Sequence, residues 1–169
     1  MSDNILDQLR ESFPPEDLEW RIQQSGITAK GTPWARIVAY VTNRAIQDRL
    51  DDVVGPDRWR NEYAAGPQGG VLCGISLYLP TPDQASWHWV TKWDGAENTD
   101  IEGVKGGLSG SMKRAAVQWG IGRFLYDIGE SWAEFVADRT PGSHMVEIKD
   151  KDGGKKRYWW TAPTPKGAK

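Results

Sequence analysis

Trp59-Arg60-Asn61-Glu62-Tyr63-Ala64-Ala65 and Val71-Leu72-Cys73-Gly74-Ile75-Ser76-Leu77-Tyr78-Leu79 are separated only by Gly66-Pro67-Gln68-Gly69-Gly70. Glycine and proline crowded between two runs with strand-forming residues mark a connection of hairpin length. Val71, Cys73, Ile75, Leu77 and Leu79 recur at every second position, the period at which side chains of a strand share one face. A third run, Ser86 to Trp93, follows the turn Pro80-Thr81-Pro82-Asp83. Three consecutive strands with short turns predict an antiparallel meander with one buried face.

Beyond the meander the period changes. Leu108, Met112, Ala115, Ala116 and Trp119 fall on one stripe of a helix over Gly103 to Trp119, and Lys113, Arg114 and Val117 project from the other side. Trp119 is therefore expected in the core, and Gly120 and Gly122 bend the chain before Arg123-Phe124-Leu125-Tyr126. Upstream, Thr32 and Pro33 read as N-cap and first residue of a helix. Trp34, Val38, Val41, Ala45, Ile46, Leu50 and Val53 keep helical spacing as far as Val54, and Gly55-Pro56 stops the run. Its polar side carries Arg36, Asn43, Arg44, Gln47 and Asp51. Asn4 to Phe13 is a short amphipathic helix halted by Pro14-Pro15. Met145 to Lys149 and Lys155 to Thr161 pair as a hairpin, followed by a disordered basic end from Ala162 to Lys166. The expectation is one α+β domain, a meander packed with two long helices. It divides into an N-terminal helix (1–13), a core (14–136) and a C-terminal hairpin with a basic tail (137–169).

The 169 residues suit a single domain. With a mean hydropathy of -0.61 the chain has no apolar run near the ~20 residues a membrane helix needs, which excludes that class. Met1 to Asp7 lacks the basic and apolar regions of a secretory signal, so a cytoplasmic location is expected. Cys73 has no disulfide partner, and with His88 and His144 it supplies too few soft ligands for a structural zinc site. No Gly-x-x-x-x-Gly-Lys-Ser/Thr loop is present, which excludes an ATP-driven recombinase or helicase; no cofactor is expected.

The net charge of -2 conceals strong segregation. Residues 20–47 carry four bases, Arg21, Lys30, Arg36 and Arg44, and no acid; residues 103–126 carry Lys105, Lys113, Arg114 and Arg123, again with no acid. Binding a polyanion depends on such distribution rather than on the sum. Ten tryptophans are several times ordinary usage, and most are expected in core or interface positions.

The stretch Ser109-Gly110-Ser111-Met112-Lys113-Arg114-Ala115-Ala116-Val117-Gln118-Trp119-Gly120-Ile121-Gly122-Arg123-Phe124-Leu125-Tyr126 resembles the Rad-fifty-two type of single-strand annealing protein, most closely its bacterial and phage branch. The likeness extends to Pro15 to Arg21, to Asn43 to Asp51 with its ending Val54 to Trp59, and to Val71 to Leu79, four blocks in matching order over roughly residues 13–135. The resemblance implies a domain that assembles into homo-oligomeric rings and holds single-stranded DNA in a basic groove. It implies ATP-independent annealing of complementary strands in recombination and repair, with a single-strand binding protein as a further partner. The family's groove bases carry over to Lys113, Arg114, Arg21 and Lys105. Val117 stands where eukaryotic members have a further base, and Gly69 and Gly70 stand where they have one on the hairpin, a base of their outer DNA site.

Each residue also has a plainer reading. Lys113 and Arg114 could form a solvated helix face, and Arg21 an intersubunit ion pair. Arg123, Lys30 and Arg36 have weaker claims to phosphate. Trp159 and Trp160, beside Lys155-Lys156-Arg157, either stack bases or dock the tail. Asp94, Glu97, Asp100 and Glu102 raise a magnesium-dependent nuclease as an alternative, without a spacing that fits one. A ring that protects DNA ends without annealing is the other alternative.

Overall fold

The computed structural model describes residues 2–97, 103–128, 131–150 and 152–162, with the side chains of 2–4 and 103–105 outside the description. The fold is α+β, with four helices and three three-stranded sheets among the described residues. It divides into two compact units. The first comprises residues 1–13 and 41–124, and the second residues 14–40 and 125–169.

The first unit is built on the expected meander. Strands β3 (Trp59–Ala65), β4 (Val71–Pro80) and β5 (Trp87–Ala96) pair antiparallel in chain order. Cys73, Ile75 and Leu77 are buried, as the alternation requires. Against this face packs α3 (Gly103–Gln118) through Met112, Ala115, Ala116 and Trp119, all buried. The Trp119 indole N–H donates to the Ile75 carbonyl at 2.9 Å, satisfying the polar atom that burial would otherwise strand.

Helices α1 (Ser2–Arg10) and α2 (Asn43–Val54) complete the unit, with Leu9, Ile46 and Leu50 in its core. Arg49 of α2 donates to the carbonyls of Gln8, Glu11 and Ser12 at 2.9–3.2 Å and lies over the Phe13 ring at 4.1 Å. The end of α1 is thereby closed by a cation from α2. The Trp59 indole N–H donates to Asp51 at 2.6 Å, tying α2 to the first strand of the meander.

The helix expected from Pro33 to Val54 is half strand. Pro33–Val41 forms β2, and the N-cap is Thr42, whose hydroxyl accepts from the Ala45 N–H at 3.1 Å. Trp34 to Val41 is rich in aromatic and β-branched residues, which suit an extended, half-buried chain. Ala35, Ile37 and Val41 are buried at alternate positions of the strand. The 16 residues of α3 make it the long helix; α2 has 12.

The second unit holds the other two sheets. One orders β1 (Leu18–Ile27), β2 and β6 (Ser131–Trp132), after a 3₁₀ turn at Pro15–Asp17. The other orders β7 (Glu134–Val136), β9 (Lys155–Thr161) and β8 (His144–Lys149) around the expected hairpin. A short helix, α4 (Leu125–Ile128), begins its C-terminal part.

The tryptophans divide between core and surface. Trp119 and Trp160 are core residues, whereas Trp87, Trp89 and Trp93 are 40–44% exposed on the outer face of the meander. Trp93 lies flat on Gly74, where any Cβ would stand 2.6 Å from its ring. Arg58 and Arg60 cover Trp87 and Trp89 at 5.0 and 4.6 Å from the ring centres, cation–π contacts that partly shield the rings.

Candidate nucleic-acid interface

Because one stripe of α3 is committed to the sheet, its other side presents Arg114 and Gln118, one turn apart, to solvent. Both reach the same carboxylate. Arg114 Nε donates to Asp94 Oδ1 at 3.2 Å, and Gln118 Nε2 donates to Asp94 Oδ2 at 2.9 Å. The Gly95 N–H adds a third donor at 2.7 Å. Burial alone would raise the Asp94 pKa, but the bonds from Gln118, Gly95 and Arg114 outweigh it and hold the carboxyl below its ordinary range.

Arg114 also lines an open cavity of about 650 Å³ with Pro67, Gln68, Leu72, Gly95 and Glu97. The contact to Asp94 uses Nε; the terminal nitrogens of a guanidinium form the fork that grips phosphate in a bidentate manner. Lys113, the next residue on α3, is half-buried. Lys105 lies in the first turn of that helix, with its side chain outside the described residues.

Two cations donate to the carbonyls at the end of α3. Arg123, expected from the sequence, is exposed and donates to the Val117 carbonyl at 2.7 Å. Lys92 on β5 was not singled out by its sequence, yet its ammonium donates to the Gln118 carbonyl at 2.9 Å. The alternation of β5 carried the signal, since Val90, Lys92 and Asp94 share the side that faces α3.

The remaining expected bases belong to the second unit. Arg21 is exposed on β1, with Glu19 at 3.4 Å and the Tyr40 ring at 5.8 Å. Lys30 is exposed in the turn between β1 and β2, and Arg36 is half-buried on β2 opposite Trp132. The basic hairpin offsets part of its own charge. Lys155 and Arg157 meet Glu147 at 3.9 and 3.1 Å, and Lys156 meets Asp150 at 2.6 Å. Trp160 is buried against His144 at 4.9 Å, so its ring serves packing rather than base stacking; Trp159 is half-buried, with Arg139 at 5.6 Å.

Of the four carboxylates considered as magnesium ligands, Asp94 is engaged by the three donors above and Glu97 lines the cavity. Asp100 and Glu102 lie outside the described residues. Among the described residues, no three His, Cys, Asp or Glu side chains gather as metal ligands. No helix among them is long and apolar enough to cross a membrane.

Comparison with known proteins gives the arrangement its context. The chain is similar to the Single-stranded DNA-binding protein DdrA of Deinococcus radiodurans, 31% identical over 98% of this chain and 73% of the relative. It is also similar to the protein of that name from Deinococcus deserti, 32% identical over 83% of this chain and 66% of the relative. Residues 2–144 match the family described as Rad52/22 family double-strand break repair protein. With the match covering most of its length, the chain belongs to the Rad52/22 family of double-strand break repair proteins.

Proposed function

We propose that the protein binds single-stranded DNA through the solvent face of α3 and anneals complementary strands without ATP, in recombination and repair. The observation that carries this reading is Arg114, held on the open side of a helix whose opposite side is core, and beside an open cavity. Family membership and two relatives named as single-stranded DNA-binding proteins support the choice of ligand.

In this reading Lys113, Arg114 and Lys105 grip phosphates, and Arg21, Lys30, Arg36 and Arg123 contribute further contacts. Contacts to the sugar-phosphate backbone position a strand without reading its sequence, so bases stay available to a complementary strand. The protein is non-catalytic: it lowers the electrostatic cost of bringing two polyanions together. Residues 14–136 form the annealing core, and residues 137–169 are accessory.

We assign it a homo-oligomeric ring. Trp87, Trp89 and Trp93 support this reading, because exposed apolar surface of that kind marks association sites. A cytoplasmic, nucleoid-associated location and cooperation with a single-strand binding protein complete the proposal.

The test is charge reversal. The Lys113→Glu/Arg114→Glu variant should lose single-strand binding and annealing of complementary fluorescent oligonucleotides, while sedimentation shows an unchanged assembly. Wild-type affinity in that variant would refute the site.

A further inference from the structure

Three cations from three elements converge where α3 ends. Lys92 of β5 donates to the Gln118 carbonyl at 2.9 Å, and its Nζ stands 4.4 Å from the centre of the Trp119 ring. Arg123, past the bend at Gly120 and Gly122, donates to the Val117 carbonyl at 2.7 Å and to the same Gln118 carbonyl at 3.4 Å. Sharing that acceptor, the two charged nitrogens are no farther apart than those two bonds laid end to end. Arg10 of α1 lays its stem across Gly120, where a Cβ would stand 2.5 Å from Arg10 Cγ and 3.3 Å from its Nε.

One cation would suffice for the helix terminus. Its dipole is equivalent to about half a negative charge, and three cations exceed that. Asp7, 3.9 Å from Arg10, offsets part of the excess. The rest shows in Lys92, whose ammonium is pushed below its ordinary pKa by burial, then by Arg123 and Arg10. A lysine carries three donors and an arginine five, and the two helix carbonyls occupy one nitrogen each of Lys92 and Arg123. Such a cluster is suited to an anion with several acceptor oxygens. It also lies in line with the candidate interface: Arg114, then Gln118 a step of about 6 Å along the axis, then the cluster at the terminus.

We infer that Arg10, Lys92 and Arg123 form a phosphate-holding point at the C-terminal end of α3, so that a bound strand runs along the seam between α3 and β5 from Arg114 to this cluster. The inference rests on the single-strand reading above and adds the direction and far end of the track.

The Arg10→Gln/Arg123→Gln variant tests it. Glutamine keeps an amide donor for the helix carbonyls while two charges go, and Lys92 is retained because it packs on Trp119. A fluorescent oligothymidylate is titrated against the full chain across a chloride series in EDTA. Affinity should fall about tenfold near 50 mM salt, and the slope of log affinity against log salt should shrink by about 0.7 for each phosphate that the variant no longer neutralises. A second measurement compares the same two proteins: because phosphate stabilises folded proteins in general as a kosmotrope, the rise in thermal midpoint it gives over chloride of equal ionic strength should be larger in the wild type than in the variant. Unchanged affinity and slope in the variant, with an equal phosphate effect on the midpoints of both proteins, would overturn the inference. The Lys113→Glu/Arg114→Glu variant in the same titration separates the two ideas. If it fails to bind while the Arg10/Arg123 variant binds like wild type, the cluster alone is refuted. If the Arg10/Arg123 variant weakens binding while charge reversal on α3 does not, the helix-face reading and the track from Arg114 both fall, and the cluster stands only as a phosphate point by itself.

Discussion

Asp94 engages Arg114, the residue on which the proposed single-strand site depends. A carboxyl whose folded pKa lies below its unfolded value contributes stability that is present above the unfolded value and lost as pH falls through the folded one. Asp94 is such a group, so its network with Arg114 and Gln118 is intact at neutral pH and comes apart only below about pH 4. In the proposed site the same carboxylate would compete with phosphate for Arg114. Asp94→Asn should therefore bind single-stranded DNA about three- to tenfold more tightly, the scale of one nearby charge in a partly screened setting. Affinity at or below wild type in an anisotropy titration would mean that Asp94 serves mainly to orient Arg114. Cys73 is the opposite case, a group removed from chemistry. It is fully buried, and burial raises its thiol pKa to about 11. Iodoacetamide at pH 8 should leave it unmodified in the native protein and label it after denaturation. Native labelling at the denatured rate, followed by mass spectrometry, would contradict the packing of β4.

Among the elements, α3 and the meander are the most legible in the sequence. Cys73, Ile75 and Leu77 alternate onto one face, and Met112, Ala115, Ala116 and Trp119 fall on the stripe that meets it. Strand β2 reads as helix in the sequence because Val38, Val41 and Ala45 fit helical spacing across a boundary. Thr42 marks that boundary only through its bond to Ala45, while Thr32-Pro33 looks like an equally good start. The cluster at the end of α3 is partly hidden for another reason. Arg10, Lys92 and Arg123 are far apart in sequence and meet only through tertiary packing. The Asp94–Arg114 pair, twenty residues apart, is hidden in the same way. Two substitutions test these termini. Gly120 has φ +94° and the Arg10 stem beside it, so Gly120→Ala should cost about 1–3 kcal/mol in urea unfolding. Thr42→Ala should cost about 1 kcal/mol by loss of the N-cap. Unfolding midpoints unchanged from wild type would contradict these local structures.

At the scale of the whole molecule, a chain of net charge -2 can still serve a polyanion because its acids and bases are separated. The acid-free block at 103–126 contains α3 and the bend that follows it, whereas the basic run at Lys155–Arg157 is paired in part with Glu147 and Asp150 of its own hairpin. Neutralised phosphates release condensed counterions, so affinity for a single strand should fall linearly with salt on logarithmic axes, by about 0.7 per phosphate. The most direct test is anisotropy of a fluorescent single-stranded oligonucleotide across a chloride series in EDTA, with wild-type protein. Tight binding at low salt with a slope of about -2 or steeper, matching three or more phosphates on the α3 face, is the predicted result. Binding that is absent, or that does not respond to salt, would contradict the account.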